Sequence, residues 1–252
     1  MKQNCYVGYP LWDSVIPDVN IIFIHGLLGH SHKSWRCNDS MRDEDNKAVY
    51  SRCWPIEWLP NSLLKKDLTP RVILMSYPTA LSTYSTHSNE NEYELEKQAT
   101  ILRENIQALD LSGPTIMIGH SMGGLLWKQI IVHAFESGDH KFLSNISGLC
   151  FYSTPHHGCT LAKYGSMFPM LNKVLGMTKD IRQLSSSSDY PVRLHQAFTD
   201  VIVKYPNLRN MISFIETQPT KFAFGQGYFI IICIKIYVVN RNGCRRRNRC
   251  EY

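Results

Sequence analysis

At the centre of the chain stands the stretch Pro114-Thr115-Ile116-Met117-Ile118-Gly119-His120-Ser121-Met122-Gly123-Gly124-Leu125-Leu126-Trp127-Lys128-Gln129-Ile130-Ile131-Val132. It begins as an apolar strand candidate and ends as a run that suits a partly buried helix. Between the two, Gly119-His120-Ser121-Met122-Gly123 matches G-x-S-x-G, a pattern that places a serine on a sharp turn from strand to helix. A side chain at either glycine would collide across such a turn. This context favours an exposed Ser121 at a helix N-terminus over a glycine-rich turn with an incidental serine.

The segments around this turn alternate between strand and helix patterns. Strands are predicted at 19–24, 70–77, 146–152 and 211–215, and helices at 94–109 and 192–203. The residues 54–60 predict a short helix or turn. This order predicts an α/β protein with a mostly parallel sheet and helices on both faces.

Polar residues follow four of the predicted strands. They are His25, Ser121, the pair His156 and His157, and Glu216. Since the carboxyl ends of parallel strands meet at one edge of a sheet, we expect these residues to gather there. The sequence thus predicts a site at this edge, built around Ser121.

A serine hydrolase needs a nucleophile, a base, an acid that orients the base, and an oxyanion hole. Ser121 is the predicted nucleophile, and the amide of Met122 is the predicted first oxyanion donor. The second donor is expected in the loop after the first strand, at the amide of Leu27. In that loop Gly26 permits close approach to a substrate, and His25 is expected to order the loop rather than to transfer a proton.

The base and the acid are harder to assign. In this kind of site the chain order is serine, acid, histidine, yet no histidine follows His195. His133 is expected in a helix, His140 in a loop and His195 on a helix surface. His156 and His157 can approach the site but precede the expected acid. Glu216 suits the acid or, equally well, a capping or loop-ordering carboxylate.

Charge and cysteine content restrict the partners. The net charge is +6, of which the tail from residue 241 holds +4, five arginines less Glu251, so the other residues carry +2. This near-neutral domain argues against nucleic-acid binding. The arginine run is expected to be a solvated tail, with contact to anionic lipid or nucleic acid as the alternative. The eight cysteines form no C-x-x-C pair and no zinc-like set, which favours reduced thiols inside the cell over a secreted disulfide protein. We expect neither a metal nor a cofactor.

Five motifs occur in an order that resembles the serine-active-site-containing proteins, a lipase-like branch of the α/β-hydrolases. They are Phe23-Ile24-His25-Gly26-Leu27, Cys53-Trp54-Pro55 with Trp58-Leu59, Gly119-His120-Ser121-Met122-Gly123-Gly124-Leu125, Tyr152-Ser153-Thr154-Pro155-His156-His157-Gly158, and Glu216-Thr217-Gln218-Pro219-Thr220. The resemblance implies an α/β-hydrolase fold and a serine esterase, lipase or acyltransferase that acts on a lipid ester at a membrane surface. It also implies phospholipid remodelling and a location where mitochondria and endoplasmic reticulum meet.

The resemblance covers about residues 19 to 220. We therefore predict an incomplete, C-terminally truncated lipase-like domain over 1–220 and an atypical tail over 221–252, apolar and then arginine-rich. The family continues with a histidine-bearing loop that has no counterpart here, so catalysis is expected to be impaired. The alternative is an inactive splice form or degenerate copy that binds a lipid or a partner.

For two segments the sequence is compatible with more than one structure. Residues 160–190 suit an apolar lid or an ordinary core helix. The tail could supply an edge strand, aggregate or anchor the chain, although its apolar run 228–234 is far shorter than the ~20 residues of a spanning helix.

Overall fold

The structure is a computed structural model. It describes residues 6–7, 16–27, 29–36, 53–78, 94–109, 111–157, 190–214, 236–240 and 243–247.

A single sheet of eight strands organises these residues. The strands are β1 (Tyr6–Val7), β2 (Val19–Ile24), β3 (Pro70–Met75), β4 (Thr115–His120), β5 (Ile146–Tyr152), β6 (Met211–Phe214), β7 (Ile236–Asn240) and β8 (Gly243–Arg247). Their spatial order is β1-β3-β2-β4-β5-β6-β7-β8. The five strands from β3 to β6 in this order run parallel, while β1 at one edge and the β7–β8 hairpin at the other run antiparallel. The predicted, mostly parallel sheet is confirmed.

Helices cover both faces of this sheet, also as predicted. They are α1 (Trp54–Glu57), α2 (Leu59–Leu64), α3 (Glu94–Gln107), α4 (Met122–Glu136), α5 (His140–Asn145) and α6 (Tyr190–Lys204), with 3-10 turns at Lys33–Trp35 and Pro206–Arg209. The expectation that His140 lies in a loop is wrong. His140 begins α5, because the Asp139 carboxylate caps this helix by accepting a hydrogen bond from the Phe142 amide at 3.2 Å.

Two apolar cores follow from the strand alternation of β2 and β3. Ile22 and Ile24 point into the core beneath α3, α4 and α6, while Ile21 and Phe23 point to the opposite face. On that second face Phe23 meets Trp35 and Trp54 edge to face, with ring centroids 5.0 and 5.4 Å apart. The period of two along each strand thus divides one apolar run between two faces.

Helix α4 is the most enclosed helix of the described residues. All its residues from Met122 to Val132 are buried, because α3 and α6 flank it and the sheet lies beneath it. The indole of Trp127 donates a hydrogen bond of 3.0 Å to the carbonyl of Ile118 in β4. This bond ties the helix to the strand that leads into it, and so fixes the turn between them.

The described part of the tail forms the β7–β8 hairpin, which pairs with β6 through Ile212 and Ser213. Of the alternatives for the tail, an edge strand is the one that the structure shows, since β8 forms the edge of the sheet and β7 joins it to β6. No helix among the described residues has the length and apolarity needed to cross a membrane. The Glu216 motif and most of the tail lie outside the described residues.

The docking of α4 on β4 can be tested with two matched substitutions. We expect Trp127→Phe to lower the free energy of unfolding by about 2 kcal/mol, because it leaves a void and removes the bond to Ile118. Trp58 is 38% exposed, so Trp58→Phe should change stability by less than about 0.5 kcal/mol. Urea denaturation measures both. Equal losses in the two variants would contradict the anchoring role of Trp127.

Candidate active site

Ser121 sits on a strained turn between β4 and α4. Its φ of 51° and ψ of −120° lie outside the regions that non-glycine residues favour. Two hydrogen bonds hold it there: its amide donates to the Tyr152 carbonyl at 2.8 Å, and the Gly124 amide donates to its carbonyl at 3.1 Å. Such strain persists only where the surroundings impose it, and it concentrates at functional sites. The predicted nucleophile turn is therefore present.

The two glycines of the turn are required by close backbone contacts. A Cβ atom on Gly119 would lie 2.6 Å from the Gly124 Cα, and one on Gly123 would lie 2.3 Å from the Ile24 carbonyl oxygen and 2.5 Å from that of His25. Backbone atoms cannot yield as a flexible side chain can. The predicted steric need for glycine at 119 and 123 is thus seen directly. At Gly123 the close contact is with the end of β2 and the loop that follows it.

That loop lies against the serine. A Cβ atom on Gly26 would be 2.9 Å from the Ser121 Cβ. The Gly29 amide donates to the Gly26 carbonyl at 3.0 Å and closes a turn that contains the buried residue Leu27. Met122 opens α4, where the first amides have no partner within the helix and the helix dipole favours negative charge. This arrangement supports Leu27 and Met122 as the oxyanion donors.

His25 is buried beneath this loop and holds it in place. Its Nδ1 lies 2.9 Å from the Gly26 carbonyl oxygen, which can only accept, so Nδ1 carries the proton. Its ring stacks on Tyr77 with centroids 4.5 Å apart, and the Tyr77 hydroxyl donates to the His25 carbonyl at 2.9 Å. Burial lowers the pKa of His25 to about 4, so the ring is neutral at physiological pH. These contacts agree with the predicted ordering role.

His120 is packed behind the serine. A Cβ atom on Gly26 would meet its Nδ1 at 2.8 Å, and its ring lies edge to face with Trp35 at 6.4 Å. Burial, with a smaller effect of His25, lowers the pKa of His120 to about 4. This histidine therefore contributes shape rather than charge to the turn.

The loop after β5 supports the turn from the other side. Ser153 has a φ of 47° and donates its amide to the Phe214 carbonyl at 2.8 Å. Thr154 lies over Gly124, where an added Cβ would stand 2.0 Å from the Thr154 Oγ1. Ser121 and Ser153 are non-glycine residues with positive φ at the ends of neighbouring strands. They are linked through β5, because the Ser121 amide bonds to Tyr152, the residue before Ser153.

His156 and His157 lie further along the same loop. His156 Nε2 is 3.3 Å from the Ser213 Oγ, and its ring meets Phe151 edge to face at 5.0 Å. His157 is exposed, and its ring lies 4.5 Å from that of His195. The expectation that His195 is a surface residue is wrong. His195 is half-buried, with its Nδ1 2.9 Å from the buried Nζ of Lys128, because α6 packs this side chain onto α4.

No histidine among the described residues forms a hydrogen bond with the Ser121 Oγ. Glu216, the predicted acid, and all of the predicted lid or core helix over 160–190 except Tyr190 fall outside the described residues, so both stay predictions. No group of three metal-binding side chains within the described ranges is arranged to hold an ion. The part of the predicted site that the structure describes is thus the Ser121 turn and the loop of Gly26 and Leu27, and their roles as nucleophile and oxyanion hole stay predictions.

Sequence reasoning missed three residues of this framework. Tyr77 acts on His25 from the end of a different strand, Thr154 covers Gly124, and Lys128 meets His195 across two helices. The His25–Gly26 pair was a signal that the loop needs ordering, but no local pattern names the side chain that supplies it.

Comparison with known families agrees with this geometry. Residues 19–128 match a family model described as alpha/beta hydrolase fold, a range that contains β2, the oxyanion loop and the Ser121 turn. The chain has the α/β-hydrolase fold.

In sequence the chain is similar to the SERAC1 proteins. It is 32% identical to Protein SERAC1 of Mus musculus, covering 94% of this chain and 35% of the relative, and 31% identical to that of Homo sapiens, with the same coverage. The chain thus spans about a third of the length of the curated relatives it matches. The coverage is wider than the 19–220 range that carries the motifs.

Solved structures are more distant. Lipase BlEst2 of Bacillus licheniformis in its mature form is 18% identical with a TM-score of 0.47, covering 89% of this chain and 75% of that one. Phospholipase PlaB of Legionella pneumophila is 16% identical with a TM-score of 0.47, covering 78% of this chain and 38% of that one. Neither likeness is close enough to assign a substrate.

The steric requirement at Gly123 gives a direct test. We expect Gly123→Ala to lower the free energy of unfolding by about 1–3 kcal/mol, because its methyl group must displace the carbonyls of Ile24 and His25. At Gly148 an added Cβ would meet nothing closer than 3.8 Å, so Gly148→Ala is the control and should be close to neutral. Urea denaturation compares the two. A Gly123→Ala chain as stable as the control would show that the loop and helix are not in backbone contact.

Proposed function

We propose that this chain is the hydrolase module of a longer SERAC1-like protein and that Ser121 forms an acyl-enzyme with a lipid ester. The observation that carries the proposal is the strained backbone of Ser121 at the N-terminus of α4, in contact with the loop of Gly26 and Leu27. This geometry serves acyl transfer, which needs an exposed nucleophile beside preorganised amides.

The proposed reaction has two steps. The Ser121 Oγ attacks the ester carbonyl carbon while its proton passes to a base, and the amides of Met122 and Leu27 hold the oxyanion. Collapse of the intermediate breaks the bond to the alcohol, which leaves with the proton. Water or a second alcohol then attacks the acyl-enzyme, accepts the acyl group and restores Ser121.

The lipid class of substrate rests on the motif resemblance and on the SERAC1 relatives. A phospholipid ester, handled at a membrane surface near mitochondria and endoplasmic reticulum, is the specific form we propose. The Leu27 and Met122 side chains are buried in the core beneath α4, so the contribution proposed for these residues is through their backbone amides.

Binding without catalysis is the second candidate. It is favoured by one observation: among the described residues, no histidine hydrogen-bonds with Ser121, since His156 is close to Ser213 and His195 to Lys128. In the sequence the one histidine outside the described residues is His87, which precedes Ser121 instead of following the acid. A triad without its base retains only ~10³–10⁴-fold catalysis over water.

A fluorophosphonate probe separates the two candidates. We expect the 252-residue chain to be labelled at neutral pH and the Ser121→Ala variant to remain unlabelled. Ser62 is exposed on α2, and Ser62→Ala should be labelled like the parent chain. Labelling is read by intact mass, and circular dichroism confirms that each chain is folded.

A folded chain that the probe leaves unmodified would contradict the catalytic proposal and support the binding candidate. Micelles of a short-chain phosphatidylglycerol would then be the ligand to test, with tryptophan fluorescence as the readout. Labelling that persists in Ser121→Ala would contradict the assignment of the nucleophile itself.

Tyr77 provides a finer test of the oxyanion loop. Tyr77→Phe keeps the ring over His25 but removes the hydroxyl that donates to the His25 carbonyl, so we expect Ser121 labelling to slow by roughly 10-fold. The concentration of probe that gives half-maximal labelling should not change. Tyr205→Phe, which removes a hydroxyl bonded to His140 far from the loop, is the matched control. Equal labelling rates in both variants would contradict the role of Tyr77.

A further inference from the structure

Lys128 is an unusual residue for the interior of a domain. It lies about two turns along α4 from Ser121 and is fully buried. Its Nζ is 2.9 Å from the His195 Nδ1 and 5.4 Å from the centroid of the Phe198 ring, both on α6. No carboxylate of the described residues pairs with it. A buried ammonium group with so few acceptors is costly, so this side chain is expected to have a specific role.

The ionisable groups that face Lys128 are all bases. His195 faces it from α6 and His156 from the loop after β5, with their ring centroids 6.1 Å apart, and the ring of the exposed His157 lies 4.5 Å from that of His195. The next residue of α4, Gln129, is neutral and bonds with Tyr190 and His133.

The other charged side chains near this part of α4 influence Tyr190 and His133. Glu96 and Arg193 influence the Tyr190 hydroxyl, and Glu96, Arg103 and Glu136 influence His133. No acid of the described residues offsets positive charge at the Lys128 group.

This group is continuous with the Ser121 turn through the loop 153–157. His156 Nε2 is 3.3 Å from the Ser213 Oγ of β6, and Thr154, two residues earlier, lies over Gly124. The loop begins directly after Tyr152, whose carbonyl accepts the Ser121 amide. A displacement of His156 would therefore reach both β6 and the first turn of α4.

We propose that Lys128, His156 and His195 form an acid-sensitive latch, which holds α6 and the loop 153–157 against α4 near neutral pH and releases them when these two imidazoles gain protons. In the closed state His156 and His195 must be neutral, because each added proton places a second positive charge beside an ammonium group that no carboxylate of the described residues neutralises. Release lets each base take up its proton in water.

The direction of the pH dependence follows from burial. Burial, and then the charge of Lys128, lowers the pKa of His156 to about 3 and that of His195 to about 4. Burial lowers the pKa of Lys128 to about 7. The closed state thus binds fewer protons than the open state at Lys128, His156 and His195. As the pH is lowered from 10.5 to about 7, the closed state loses stability because of Lys128. As the pH is lowered from 6.5, it loses stability again, down to about pH 4 because of His195 and down to about pH 3 because of His156.

Hydrogen exchange of the full chain between about pH 7 and about pH 5 tests the latch. We expect the amides of α6, corrected for intrinsic rates, to lose protection relative to those of α3, by roughly 20-fold from His195 alone. In Lys128→Met the loss should shrink, because the charge that lowers the pKa of both histidines is removed. Lys97 is exposed on α3, and Lys97→Met should behave like the parent chain.

Two outcomes would overturn the proposal: an identical pH dependence in Lys128→Met and the parent chain, or a simultaneous loss of protection in α3 and α6. A second measurement does not depend on any variant. Nuclear magnetic resonance should show His156 and His195 of the folded parent chain titrating well below the ordinary value of 6.5, and titration at or above that value would also overturn the latch. Neither measurement requires Ser121 to react, so the latch can fail or stand independently of the proposed function.

Discussion

The site depends on one backbone contact, between the first turn of α4 and the end of β2. At Gly123 the helix comes so close to the Ile24 and His25 carbonyls that no side chain fits. This contact brings the loop of Gly26 and Leu27 to the serine, and it fixes the distance between the two predicted oxyanion amides. A parallel sheet makes the contact possible, because β2 and β4 are neighbours and end at the same edge. A glycine is needed since the gap that a Cβ atom requires would separate the two halves of the site.

The strain at Ser121 is maintained by the same packing. Ser121 is held by Tyr152 on β5, and Ser153 is in turn held by Phe214 on β6. Each strained residue therefore extends the ladder of a neighbouring strand by one hydrogen bond. Release of either residue would break one buried backbone hydrogen bond. That loss opposes the relief of the ~1–3 kcal/mol typically stored in such a conformation, and it outweighs this relief only while the surrounding helices stay docked. Trp127 and the apolar faces of α3 and α6 keep them docked.

Local sequence patterns were sufficient for the elements but not for contacts between distant residues. Strands β2 and β5 were predicted with their observed bounds, and the Ser121 turn with the reason for its glycines, because β-branched runs and G-x-S-x-G depend on neighbours in the chain. His195 was misjudged, because its partner Lys128 is 67 residues away and a lysine in a helical pattern is ordinarily exposed. Helix α5 was missed since six residues are too few for a periodic pattern, although Asp139 is a cap signal.

The electrostatics of the site explain why the backbone must stabilise the oxyanion. His25 and His120, the imidazoles that lie nearest to the loop of Gly26, both have a pKa lowered to about 4 by burial, so neither offers positive charge at neutral pH. Among the described residues, the remaining positive influence at Ser121 is the N-terminus of α4, through its first amides and the helix dipole. Because burial keeps His25 neutral, its ring carries one proton, on Nδ1, and donates it to the Gly26 carbonyl. This hydrogen bond also positions the Leu27 amide, which follows that carbonyl.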